Sequence, residues 1–190
     1  MLLILAGGYS CNVKQHGIKK DVQAMLSKQI EFPPFQTAVL NGKDTILPVG
    51  RQAGMAKMII YYDSLLCSSC KLSRLSEWGP IVAYSRSTRQ DFIPVFIFSP
   101  SAHNRHNFEL ALRGNPFDTP IYVDDKGEFL KLNSFVPQNH MCHVMLVDKN
   151  NRVLLVGNPL ENTKLWDLYY TTIRELIYNK GTLPAAGDDA

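Results

Sequence analysis

The chain has 190 residues, 45% of them hydrophobic and 19% charged, with a net charge of +3. That is enough apolar material for one sizeable core, so one domain with additions is expected. No basic stripe interleaved with aromatics points to nucleic acid, and no internal repeat is visible. The four cysteines, Cys11, Cys67, Cys70 and Cys142, are too few and too spread out to staple a miniprotein. A structural zinc site needs a second close pair, which is missing, although histidines could supply ligands.

The opening MLLILAGGYSC is apolar, too short to span a membrane, and reaches small residues before Cys11. It resembles the end of a bacterial lipoprotein signal. The resemblance implies an exported chain, lipid-anchored through Cys11 on the periplasmic or cell-envelope side and facing an oxidising compartment. The other reading of the same run is a buried N-terminal strand with an inert cysteine.

Residues 12–28 are polar, then helical in pattern, with Ile18, Val22, Met25 and Leu26 on one face. Pro33-Pro34 breaks any regular element. TAVL and TILPV flank Asn41-Gly42, which predicts a hairpin added to the edge of the main sheet, with 50–54 a loop. The run 58–62 reads as a buried strand, and the cysteine pair follows directly. Leu72, Leu75, Trp78 and Val82 then recur at helical spacing, with Gly79-Pro80 kinking the helix.

FIPVFIF at 92–98 is nearly all apolar, as a parallel strand covered on both faces should be. Pro94 fits only near its start. A short helix over 103–112 carries Phe108, Leu110 and Leu112, with His103 and His106 on its solvated face. A strand at 120–123, a turn at 124–127 and a polar connection lead to Pro137. The runs 143–147 and 152–156 form an antiparallel hairpin. A last helix over 160–178 buries Leu165, Leu168, Tyr169, Thr172, Ile173 and Leu176, and 179–190 is a disordered tail. Parallel strands linked by helices, then an antiparallel pair, predict a three-layer α/β/α domain around a mixed sheet, extended by an N-terminal hairpin.

Cys67-Ser68-Ser69-Cys70 is where the chemistry concentrates. A cysteine at a strand-to-helix junction faces unpaired N–H groups, which favour its thiolate. A second cysteine one turn further along can close a disulfide with it. The same spacing also makes half of a zinc site, or an inert pair; the strand before and the helix after favour redox chemistry. Lys71 and the hydroxyls of Ser68 and Ser69 sit where they tune it.

The element order with C-x-x-C at the first helix resembles the thioredoxin superfamily, and most of all its exported thioredoxin-like and redoxin proteins. LLCSSC and HVMLVDKNNRVLLVGNP carry the resemblance, which covers about residues 55–178. Segments 1–11, 12–54 and 179–190 are then signal-like segment, N-terminal extension and tail. The resemblance implies a thiol–disulfide oxidoreductase without a cofactor, acting on protein disulfides or dithiols and recharged by an upstream redox partner. Cys67 maps to the attacking cysteine and Cys70 to the resolving one.

Two positions depart from that pattern. Leu66 stands where an aromatic is common, and Cys142 where the family has a cis-proline facing the cysteine pair. Three readings of Cys142 are open: a third redox thiol near Cys67, an apolar residue starting a strand, or a soft-metal ligand. The last would join Cys67, Cys70 and one of His140 or His143 around copper(I) or zinc. It carries the alternative function, a metal- or partner-binding module without turnover. A peroxidase reading fails because Asp63-Ser64-Leu65-Leu66 does not supply the motif before a peroxidatic cysteine.

Overall fold

The computed structural model describes residues 9–35, 37–45 and 55–184, with the side chains of 9–16 and 37 outside that description. Among the described residues, seven strands form one mixed sheet. They are β1 (Thr37–Leu40), β2 (Lys43–Thr45), β3 (Ala56–Tyr62), β4 (Phe92–Phe98), β5 (Ile121–Val123), β6 (Val144–Asp148) and β7 (Val153–Val156). Their spatial order is β2-β1-β5-β4-β3-β6-β7. The three inner strands β5, β4 and β3 run parallel, and the flanking strands pair antiparallel on both sides.

This is the expected mixed sheet with an N-terminal hairpin on its edge. The second hairpin strand is Lys43–Thr45 rather than the TILPV run, of which 46–49 lie outside the described residues together with the expected loop at 50–54. The hairpin turns through Asn41 and Gly42, both at positive φ (51° and 74°), the backbone a tight two-residue connection requires. At the opposite edge, residues 27–30 cover β7 by main-chain hydrogen bonds, among them Ser27 N to Val153 O and Val153 N to Lys28 O, each 2.8 Å.

Side chains alternate across the central strands and divide the core in two. Met58, Ile60, Phe96, Phe98, Val144 and Leu146 face one way. There they meet Leu72 of α2 (Ser68–Leu72), Ile81 and Val82 of α3 (Gly79–Ser87), Phe108 and Leu112 of α4 (Arg105–Arg113), and Tyr169, Ile173 and Leu176 of α6 (Thr163–Tyr178). Ile59, Tyr61, Val95, Ile97, Met145 and Val147 face the other way, against Met25 of α1 (Tyr9–Met25) and Phe129 of α5 (Glu128–Leu132).

Pro94 costs the sheet nothing, although β4 is central. Ser99 N donates to Tyr62 O and Asp124 N to Phe98 O, so even-numbered backbone groups of β4 point toward β5. Pairing with β5 begins only at Phe96, beyond Pro94. The missing N–H therefore falls where no partner strand lies.

Several local expectations need correction. Gly79-Pro80 does not kink a helix. The chain leaves α2 at Ser73, passes a 3-10 turn at Leu75–Trp78, and begins α3 with Gly79 and Pro80 in its first turn, where the missing proline N–H is not needed. The connection after residue 124 holds α5, whose first turn is capped by the Asp124 carboxylate accepting from Glu128 N and Phe129 N. Leu110 and Leu168 are exposed, because 3.6-residue periodicity takes them off the buried faces of α4 and α6. Residues 179–181 are hydrogen-bonded to the rest of the chain, with Lys149 N donating to Gly181 O at 3.0 Å. Residues 1–8 and 185–190, and with them most of the signal-like segment and the end of the tail, lie outside the described residues.

Candidate redox site

The site is built where β3 runs out. Asp63, 5% exposed, directly follows the strand, and its Oδ1 accepts from Leu65 N at 3.0 Å and Leu66 N at 3.2 Å. This Asx-type turn hands the chain to Cys67, which stands at the N-cap of α2 with extended backbone (φ −68°, ψ 94°). Cys67 Sγ accepts from Cys70 N at 3.3 Å. Cys67 and Cys70 are joined as a disulfide, with Cα atoms 5.2 Å apart, and both are exposed. Since α2 has only five residues, any stabilisation of a Cys67 thiolate comes from that local N–H rather than from a long helix dipole.

The surroundings are part apolar and part charged. Lys71 Nζ lies 5.8 Å from the centre of the Tyr62 ring, a cation–π contact. The Tyr62 hydroxyl accepts from Trp78 Nε1 at 3.0 Å, and burial pushes its pKa up to about 12. Trp78 itself is buried against Phe96, a packing role. Beside the pair a cleft of about 520 Å³ opens between Leu66, Lys71, Trp78, His140, Met141 and Leu160. Met141 and Leu160 are partly exposed, and Leu65 on the turn is largely so.

The two histidines differ. His140 is exposed at the rim. His143 is 1% exposed, with Nε2 2.9 Å from Pro137 O and Nδ1 3.6 Å from Asp63 Oδ2. Burial lowers its pKa, outweighing the pull of the Pro137 carbonyl and of Asp63 in the other direction. The neutral ring and the long separation mean that the Asp63 contact is not an ion pair at neutral pH.

Cys142 does not join the pair. It is fully buried with Met25, Ile59, Tyr61 and Met145, on the sheet face opposite the one that receives Leu72 of α2. A 3-10 turn at His140–Cys142 precedes β6 and directs the side chain there. Burial, chiefly, pushes its thiol pKa up to about 11. No cis peptide bond occurs among the described residues, so the loop before β6 is trans at Cys142. The soft-metal set of Cys67, Cys70, Cys142 and a histidine is not assembled, and no cluster of three or more potential ligands occurs among the described residues. The side chain of Cys11 lies outside the described residues, although its backbone is helical within α1. His103 and His106 are exposed, as their spacing predicts.

Sequence reasoning missed Asp63 as a site residue, and considered His143 only as a soft-metal ligand rather than as a neighbour of Asp63. Asp63 carried a faint signal, an aspartate two residues before the N–H it caps. Nothing in the sequence signalled that His143, eighty positions later, would face it.

No protein-family profile matches the chain. No curated protein matches it either. Solved structures do. A candidate thiol:disulfide interchange protein, DsbE, from Chlorobium tepidum superposes with a TM-score of 0.51 at 15% identity, over 77% of this chain and 98% of that one. The pneumococcal exposed lipoprotein thioredoxin Etrx1 from Streptococcus pneumoniae gives 0.50 at 15% identity, over 73% and 97%. Similarity at that level speaks for architecture. By its sheet order, its helical layers and the Cys67–Cys70 pair at the end of β3, the chain has the thioredoxin-like fold.

Proposed function

We propose that the protein is a thiol–disulfide oxidoreductase that exchanges disulfides with partner proteins through Cys67 and Cys70. The observation that carries this reading is the exposed Cys67–Cys70 disulfide at the first turn of α2, with Cys67 Sγ accepting the Cys70 N–H. A sulfur held there is reachable by a partner and stabilised as a thiolate.

In the reducing direction, the Cys67 thiolate attacks a partner disulfide. One sulfur–sulfur bond forms between Cys67 and the partner, the partner's own bond breaks, and the leaving thiolate takes a proton from solvent. Cys70, as thiolate, then attacks Cys67 Sγ, restoring the Cys67–Cys70 bond and releasing the second partner thiol. Two electrons have passed to the partner, and an upstream dithiol returns them. The oxidising direction is the reverse. The apolar Leu65, Met141 and Leu160 beside the cleft suit an unfolded or extended protein segment as partner.

Residues 55–178 form the redox domain in this reading, and 12–54 an extension of it. Cys11 is the attachment point for a lipid that holds the protein at the cell envelope. No helix among the described residues is long and apolar enough to cross a membrane.

The test is the midpoint potential of the couple, read by alkylation and mass spectrometry across thiol–disulfide buffers. A reversible two-electron couple confined to Cys67 and Cys70 is expected. A value near about −270 mV makes the protein a reductant, and one near about −120 mV an oxidant. No reversible couple, with copper or zinc bound stoichiometrically to the reduced protein, would replace this reading with a metal-binding module.

A further inference from the structure

His143 and Asp63 meet inside the protein in a way that leaves a proton to be accounted for. Pro137 O is a carbonyl and can only accept, so His143 Nε2, 2.9 Å from it, carries a hydrogen. In the neutral ring Nδ1 is then a bare lone pair. It finds no hydrogen-bond partner, and the atom before it, at 3.6 Å, is Asp63 Oδ2. A lone pair facing a carboxylate is repulsive, and both residues are over nine-tenths buried. One proton between them, on the ring or on the acid, turns repulsion into a hydrogen bond.

The other Asp63 oxygen holds Leu65 N and Leu66 N, and Leu66 immediately precedes Cys67. The carboxylate is thus bonded to the residue whose Cα lies one step (~3.8 Å) before that of the nucleophile. We propose that Asp63 and His143 form a buried pair that takes up one proton from solvent and, through the turn at 63–66, sets the reactivity of Cys67. Both are positioning residues, and the assignment rests on the oxidoreductase reading above.

The charges around the pair support uptake in the acid range. From β3, the Tyr61 ring stands edge-on to His143 at 5.3 Å, and burial keeps its hydroxyl protonated. His140, on the adjoining turn, pushes His143 in the same direction as burial does, below the ordinary histidine value of 6.5. Across the cleft, Lys71 is stacked on Tyr62 and Arg74 is paired with Glu77, with Glu161 further along the wall. Proton uptake at the buried His143–Asp63 contact therefore makes the surroundings of the Cys67 turn less negative by one charge as pH falls.

The consequence is readable. A lone thiol loses alkylation rate about tenfold per pH unit below its pKa, because only the thiolate reacts. In the reduced full-length protein, proton uptake by the pair lowers the Cys67 pKa as pH falls, so the loss is shallower than tenfold over that range. Asp63→Asn is the diagnostic variant. Its Oδ1 can still cap Leu65 and Leu66, while its amide N–H donates to His143 Nδ1 as the shared proton would.

The experiment measures the iodoacetamide rate of Cys67 against pH, together with the ¹⁵N shifts of His143. The wild type should show the Nε2–H tautomer, protonation of Nδ1 on acidification, and the shallow rate profile. Asp63→Asn should steepen the profile to tenfold per unit and lower the midpoint of His143 protonation. An Nδ1–H tautomer in the wild type, or identical rate profiles, overturns the proposal. Should the variant not fold, the wild-type tautomer decides. A coupled His143 in a chain that exchanges no disulfide would instead refute the oxidoreductase reading and leave the proton pair standing.

Discussion

The indole N–H of Trp78 donates to the Tyr62 hydroxyl at 3.0 Å, tying the last residue of β3 to the 3-10 turn beyond the cysteine helix. The link closes a loop of chain that contains Cys67 and Cys70. Tyr62→Phe removes the acceptor and leaves a buried donor unsatisfied, at a cost of about 1–3 kcal/mol. Urea unfolding of the oxidised protein measures it. A loss under about 0.5 kcal/mol would mean that solvent replaces the hydroxyl.

Cys67 and Cys70 play different parts in the proposed exchange, and single substitutions separate them. Cys67→Ser should abolish exchange with a model protein disulfide. Cys70→Ser should still attack, but leave Cys67 in mixed disulfides that non-reducing electrophoresis detects. Exchange surviving in Cys67→Ser would sink the assignment.

The parts legible in the sequence are those where one residue type dominates a short window. FIPVFIF announces a central strand, Asn41-Gly42 a hairpin turn, and Cys67-Ser68-Ser69-Cys70 a pair within bonding reach. The parts that were not legible depend on facing and on distance. The resemblance places Cys142 just before the strand β6, but the 3-10 turn at His140–Cys142 decides which sheet face it enters. The helix α5 is one short turn among polar residues, held by a cap from Asp124 and the burial of Phe129, and carries too little periodicity to be seen. The approach of His143 to Asp63 is a product of β3–β6 pairing, which no local pattern encodes.

Stability should fall on acidification because His143 is buried in its neutral form. Its folded pKa lies below the ordinary 6.5, so between those values the unfolded chain binds more protons than the folded one. The contribution is complete above pH 6.5 and shrinks as pH drops toward the folded value. Asp124, whose carboxyl burial raises above its usual 3.8, works with the opposite sign at more acid pH. Denaturation midpoints of the oxidised protein at pH 7.5 and 5.5 give the slope, and His143→Gln should flatten it. An unchanged slope in the variant would place the responsible group elsewhere.

Cys142 should behave as core rather than as a thiol. With its pKa pushed up to about 11 and its side chain fully buried, iodoacetamide at pH 8 should label reduced Cys67 and Cys70 while leaving Cys142 untouched until the protein unfolds. Cys142→Ala removes one sulfur from a packed cluster, costs about 1 kcal/mol, and leaves the midpoint potential of the pair where it was. Labelling in the native state, or a shifted potential, would bring Cys142 back as a participant.

Gly42 tests how the edge hairpin is fixed. It sits at φ 74°, and a Cβ built on it would fall 2.2 Å from the Arg113 carbonyl oxygen, closer than real atoms approach. Arg113 also reaches Asp44 of β2 with its guanidinium at 3.0 Å, but both side chains are more than half exposed. That pair is worth at most about 1 kcal/mol, so close main-chain approach, rather than charge, seats β1 and β2 beside α4. Gly42→Ala should therefore cost more than Arg113→Ala, roughly 1–3 kcal/mol against under about 1. Hydrogen exchange on β1 would show the difference, with faster exchange at Val39 in the Gly42 variant. The reverse order would mean that the ion pair, not the backbone contact, holds the hairpin beside α4.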